Sequence, residues 1–255
     1  MISLNWLPAT AYLYILIFAR VGSILMLMPA LGEMVIPARM RLGFALMFSL
    51  VLFPLISPEL PALPGDVLQV LVYLLHELVI GLIFGAIIRL VTLAASVAGS
   101  VIAFQAGLSG AMGADPVNGG SQGVLIGAFL SMLGVTLIFA TDLHHVALMA
   151  IRDSYMIFSP REPLMFGDAA QTAIQSASSA FVIGVQMSAP FIVLGLVFYL
   201  GMGILARMMP QLQIFFLAMP ATIWVGLILF ALLLVMMMGW YLTHFEGELA
   251  MLRGA

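Results

Sequence analysis

Apolar residues run through this chain in long blocks, broken by short polar punctuation. A membrane-spanning helix needs about 20 consecutive apolar residues. The first block of that kind runs from Ala11 to Leu31, with Arg20 inside it. A polar break with Pro37 covers Gly32 to Arg41, and a second apolar block runs from Leu42 to Ile56. "SPELPALPGD", residues 57–66, carries three prolines and reads as a rigid loop. An unusually long apolar stretch follows, Val67 to Phe104, interrupted only by His76–Glu77 and Arg89 and free of proline. As a single helix it would reach about 57 Å at 1.5 Å per residue, against a hydrocarbon core of roughly 30 Å. Two readings remain open: a hairpin near Glu77 or Arg89, or one long helix that leaves the membrane plane.

A segment of different character comes next. "GLSGAMGADPVNGGSQG", residues 107–123, holds six glycines, a proline, an aspartate and an asparagine between two greasy flanks. A further apolar block spans Val124 to Ile151 around "TDLHH", and a polar segment follows, Arg152 to Ser179. Ala180–Ala206 and Leu212–Leu242 close the chain as two long apolar segments separated by "RMMPQ". A proline turn that short predicts antiparallel neighbours, a helical hairpin. The last residues, "THFEGELAMLRGA", read as a short polar tail.

Composition turns this pattern into a class. The chain is 64% hydrophobic and 7% charged, with a mean hydropathy of +1.22; a soluble domain carries roughly 25% charged residues. The expectation is an all-α polytopic membrane protein of long kinked helices and hairpins. All eight basic residues are arginines, the net charge is −3 and no basic run exists, so nucleic acid is not an expected partner. There is no cysteine, which removes disulfides, thiol nucleophiles and Cys-ligated metal centres. The N-terminus lacks the basic n-region of a cleaved signal peptide, so the first helix is expected to be retained.

Candidate chemistry is sparse. Arg20, Glu77, Arg89 and Asp142 are ionisable groups within or beside apolar stretches, costly there unless they pair, reach an interface or serve a proton or ion path. Gly81 and Gly85, then Ala95, Gly99, Ala103 and Gly107, recur at every fourth position. On a helix such stripes let backbones approach closely, either within the chain or against other subunits. In "TDLHH", Asp142 and His145 share a helical face while His144 is expected to point elsewhere, and no H-E-x-x-H motif is present. No metal, cofactor or catalytic residue is therefore expected. "GLSG", 107–110, matches a rhomboid-protease pattern that would make Ser109 a nucleophile. The "AMGADPVNGG" that follows cannot continue the helix such a site needs. Twenty methionines, among them Met208–Met209 and Met236–Met238, suit adaptable packing or a seal around a moving chain.

Three stretches carry a family resemblance: "FARVGSILMLMPALGEMVIPARMRLGFALMFSLVLFP" at 18–54, "FQAGLSGAMGADP" at 104–116, and "ARMMPQLQIFFLAMP" at 206–220, preceded by "MSAPF" at 187–191. The sequence resembles the FliR family of flagellar type III export apparatus proteins, whose virulence counterparts are called SctT, over essentially its full length. The resemblance implies a non-enzymatic subunit of the export gate in the bacterial inner membrane, within the flagellar basal body. One copy would join several copies of FliP and FliQ in a closed helical assembly, with FlhB, FlhA and the basal-body ring as neighbours. Unfolded export substrates would pass through it. It also implies a FliP-like part over residues 1–179 and a FliQ-like hairpin over 180–255. The glycine-rich segment would plug the channel through Gly107, Ser109, Gly110, Met112, Gly113, Asp115, Pro116, Asn118, Gly119 and Gly120. Arg207, Pro210 and Gln211, at the tip of the hairpin, are expected to contact neighbouring subunits.

Overall fold

The computed structural model describes residues 7–33, 36–107, 123–161, 166–209 and 214–253. These residues fold into seven α-helices: α1 (Leu7–Leu27), α2 (Ala38–Ile56), α3 (Val67–Gln105), α4 (Gly123–Ala140), α5 (Leu143–Ile157), α6 (Phe166–Met208) and α7 (Ile214–Leu252). One 3-10 turn, Ser57–Glu59, follows α2, and no strand occurs among the described residues. Five helices are long and apolar enough to cross a membrane, and α4 with α5 form a bent pair that adds a possible sixth span. The chain is an all-α polytopic membrane protein.

The 67–104 stretch is one helix of 39 residues. No proline interrupts it, and Leu, Ile, Ala and Val supply a continuous hydrogen-bonded rod, so the hairpin alternative falls. The Val124–Ile151 block is not continuous. It breaks at Thr141–Asp142, where Asp142 adopts a left-handed backbone (φ 59°). The closing helices are both longer than hydropathy suggested. α6 begins at Phe166 because the Ala/Ser/Gln/Thr run at 169–180 contains no helix breaker and needs no apolar face to be helical. The tail is not a loose polar end: α7 continues to Leu252, with Phe245, Leu249 and Leu252 buried at i, i+4 and i+7. Apolar content had marked the length suited to a bilayer, not the length of the helix.

Packing divides the chain into two compact units. The first comprises residues 1–91, 139–177 and 246–255; the second comprises 92–138 and 178–245. In the first unit, α1 buries Leu16, Ile17, Arg20, Val21, Ile24 and Leu25, a helical stripe that meets α2 and α3. Tyr14 Oη donates to the Leu46 carbonyl of α2 at 2.8 Å. The α1–α3 crossing is close enough that a Cβ on Gly81 would lie 2.6 Å from the Arg20 carbonyl oxygen, and one on Gly85 would lie 2.9 Å from Leu27 Cβ. Arg253 beyond α7 donates to Asp153 of α5 at 2.8 Å, and Ser176 of α6 donates to Glu248 of α7 at 2.9 Å.

In the second unit the C-terminal half of α3 lies against α4 with no side chain between them. A Cβ on Gly99 would lie 2.5 Å from the Gly127 nitrogen and 2.8 Å from the Ile126 carbonyl carbon. Gly184 of α6 sits in the same way against Ala94 and Val97, and Gly226 of α7 against Ala106. Phe230 is flanked by Phe129 at 6.1 Å and Phe191 at 6.3 Å between ring centroids. The helices differ sharply in how much they are covered. Half of the most apolar window of α3 (50%) is buried within the chain, against 22% for α2 and α7 and 11% for α6. Apolar faces left open on this scale meet lipid or other subunits.

Candidate functional site

The most tightly organised polar site is in the first unit, and it is made by Arg20. α1 places this arginine on its buried stripe, fully covered. Its Nε donates to Glu77 Oε2 at 2.6 Å and its Nη2 to Glu77 Oε1 at 2.9 Å, a two-point grip on a carboxylate that is 1% exposed. Nη1 donates to the carbonyls of Ser154 and Phe158, both at 3.0 Å. These are acceptors at the C-terminal end of α5, which carries partial negative charge; the Ser154 carbonyl also accepts the Phe158 N–H at 2.9 Å. The guanidinium carbon also lies 4.0 Å over the Tyr155 ring. One cation thus ties α1, α3 and α5 together. A buried charge is tolerable only when paired and hydrogen-bonded throughout, and both conditions are met here. Its four hydrogen bonds and the ring face occupy Arg20, so the pair is built to hold helices rather than to receive a solute. His76 stands beside it, with Nδ1 3.7 Å from Glu77 Oε1.

The other ionisable candidates lie apart from this cluster. Arg89 is half-buried on α3 and engaged in an interaction of its own. Asp142 begins α5 and is exposed. The expectation that His144 points away from Asp142 and His145 is corrected: one donor atom from each of the three lies within 4.8 Å of the others. The expected i, i+3 approach of Asp142 and His145 is present, at 3.7 Å; Asp142 precedes α5 with a left-handed backbone, and His144 joins the pair.

The small-residue stripes are consumed inside the chain. Gly81 and Gly85 seat α1, Gly99 seats α4, and Ala95 and Ala103 are fully buried. Gly107 ends α3 with φ +71°, the left-handed conformation that glycine adopts without steric cost. Its N–H donates to the Phe104 carbonyl at 3.2 Å, and Thr222 of α7 lies 3.7 Å from where its Cβ would be. Ser109, Gly110, Met112, Gly113, Asp115, Pro116, Asn118, Gly119 and Gly120 lie outside the described residues, as do Pro210 and Gln211. Arg207 is exposed in the last turn of α6. Of the methionines singled out, Met208, Met209 and Met236 are exposed while Met237 and Met238 are buried.

Two sets of residues escaped the sequence reading. Tyr155 and the end of α5 complete the Arg20 site; the only signal was that a lone arginine in an apolar segment needs more acceptors than one carboxylate offers. Gly127, Gly184 and Gly226 are the receiving sides of close helix contacts; each follows a small residue four positions earlier (Gly123, Ala180 and Thr222), a signal that was present in the sequence and passed over.

Comparison with known proteins covers nearly the whole chain. Residues 11–247 match bacterial export proteins, family 1. The flagellar biosynthetic protein FliR of Caulobacter vibrioides is 43% identical over 221 residues, 87% of this chain and 88% of its own length. Its namesake in Bacillus subtilis is 33% identical over 219 residues (85% and 83% of the two chains). That of Escherichia coli is 30% identical over 233 residues (91% and 86%).

Proposed function

Because the chain belongs to bacterial export proteins, family 1, we propose that it is a non-enzymatic membrane subunit of the flagellar type III export apparatus. In this reading it helps to line and plug the channel through which unfolded flagellar proteins cross the inner membrane. The observation that carries the proposal is the 43% identity to a flagellar biosynthetic protein FliR across 87% of the chain. It assembles with FliP and FliQ, with one copy of this chain in the assembly, and FlhB, FlhA and the basal-body ring are its neighbours. The open apolar faces of α2, α6 and α7 supply surface for such an assembly. Arg207, Pro210 and Gln211 serve as a subunit contact.

The stopper in this reading is the segment from Gly107 to Gly123. A passage wide enough for a polypeptide leaks ions unless it is filled. Glycines let a loop fold compactly and swing aside at little steric cost, and irregular backbone at membrane depth is tolerated inside protein or beside water. Gly107 supports the role from its side: its left-handed backbone lies two residues past the end of α3 and does not continue the helix. The test is a strain carrying the chain with residues 109–120 trimmed. Complex assembly, export of flagellar protein and leakage of small solutes are followed together. An assembled complex that leaks supports the stopper. An assembled complex that stays tight and exports normally removes the plugging role and leaves only a connector.

A further inference from the structure

The break between α4 and α5 gathers Asp142, His144 and His145, and no part of the export reading uses them. We propose that these three residues form a binding site for a divalent transition-metal ion of the zinc class. Their donor atoms lie within 4.8 Å of one another, and His145 Nδ1 stands 3.7 Å from Asp142 Oδ1. In a tetrahedral site with bonds of about 2.0–2.2 Å, donors are about 3.3–3.6 Å apart. The observed cluster is therefore about 1 Å from a ligating arrangement. Asp142 and His145 are the side chains that must close, and both are largely exposed (78% and 62%).

Among the described residues the donors are not employed elsewhere. Asp142 occupies the N-cap position of α5 but makes no capping hydrogen bond with its side chain. Its recorded neighbour, His145 at 3.7 Å, is beyond hydrogen-bonding distance. His144 Nδ1 is buried with no hydrogen-bond partner, a state that costs about 1–3 kcal/mol unless something satisfies it. The ring of His144 is held in place, stacked on Phe139 at 4.7 Å and 19° and against His145 at 4.1 Å. A fixed ring is what a ligating histidine needs, a role that outer residues fill around metals generally.

The donor chemistry selects the ion. Two imidazole nitrogens and one carboxylate oxygen suit zinc, nickel or copper rather than the all-oxygen shells of magnesium and calcium. Three protein donors leave a fourth position for water. All three come from four consecutive residues, so binding orders two side chains and closes no long loop.

The test uses the full chain, purified in detergent with a histidine-free affinity tag and stripped with chelator. Co2+ is titrated as the spectroscopic reporter and Zn2+ as the competitor. One equivalent of Co2+ should bind with the intense visible absorption of four-coordinate cobalt and be displaced by Zn2+. His144→Ala and His145→Ala should each weaken binding at least tenfold, with Asp142→Asn weakening it in the same direction. The double variant His76→Ala/His244→Ala removes the chain's other two histidines and should leave binding intact. His145→Gln repeats the test with a polar replacement should an alanine variant elute as aggregate. Absence of saturable binding, binding unchanged in the His144→Ala/His145→Ala double variant, or binding lost with His76 and His244 would each overturn the proposal.

Discussion

Removal of Glu77 should be among the most damaging single changes available in this chain, and removal of Arg20 with it should be less damaging. The two side chains are 1% and 0% exposed and joined at 2.6 and 2.9 Å. Breaking such a pair leaves a charge buried without its counter-ion, which costs about 3–5 kcal/mol. Glu77→Leu strands a guanidinium that retains two carbonyls and the Tyr155 ring. Arg20→Met strands a carboxylate, removes the donor to the end of α5, and forfeits a ring contact worth about 2 kcal/mol when desolvated; it should be the worse of the two. Arg20→Met/Glu77→Leu buries no charge at all, and buried pairs replaced whole by apolar residues are often near neutral. The double variant should therefore be more stable than either single one, with a coupling energy of about 3 kcal/mol or more. The assay is thermal unfolding of the detergent-purified chain, followed by helix signal. At about 2–4 °C per kcal/mol for a chain of this size, Glu77→Leu should lower the midpoint by about 6–20 °C. A drop of under about 2 °C for Glu77→Leu, or a double variant equal to the sum of the singles, would refute the claim that this pair clamps α1, α3 and α5.

Two further outcomes test the packing. Gly99→Ala places a methyl group against the backbone of Gly127 and Ile126, where no side chain can turn aside; it should cost about 1–3 kcal/mol. Gly239→Ala, where nothing lies within 4 Å, should gain up to about 1 kcal/mol from helix propensity, so opposite shifts in the same unfolding midpoint are expected. Tyr241→Phe removes a buried hydroxyl that has no hydrogen-bond partner. It should leave stability unchanged or raise it by up to about 1–3 kcal/mol, and a lowered midpoint would show that the hydroxyl is satisfied in solution.

The class of the protein was legible because it is a bulk property: 7% charged residues leave no way to build a water-facing surface. Helix ends were less legible, because hydropathy reports which residues suit a bilayer rather than which are hydrogen-bonded in a helix. The 169–180 run of α6 is polar and helical, held by contacts such as Ser176 to Glu248. The end of α7 looks polar in composition, yet it buries three residues by spacing alone. The break at Asp142 depends on a single left-handed residue, and no proline or glycine announces it.

The partly legible features share one physical cause: a sequence displays one side of a contact at a time. Arg20 and Glu77 could each be picked out as charges in apolar segments, but 57 positions separate them along the chain. Nothing in either segment selects the partner over Arg89 or Asp142. Tyr155 carries no charge and gave no signal, although its ring closes the site. The glycines divide in the same way. The Gly81–Gly85 and Ala95–Gly99–Ala103 stripes repeat along one helix and were visible. Gly127, which receives Gly99, belongs to a similar run in α4, Gly123–Gly127–Ser131, but nothing in that run names α3 as its partner. A stripe says that a helix can be approached closely; whether the approaching helix belongs to this chain is decided by the position of the residue that meets it. Around the glycines of these stripes the meeting residues are Arg20, Ser23, Ile24, Leu27, Ile126 and Gly127, all in this chain. Subunit contacts in the proposed gate therefore have to be sought on the faces of α2, α6 and α7 that remain open.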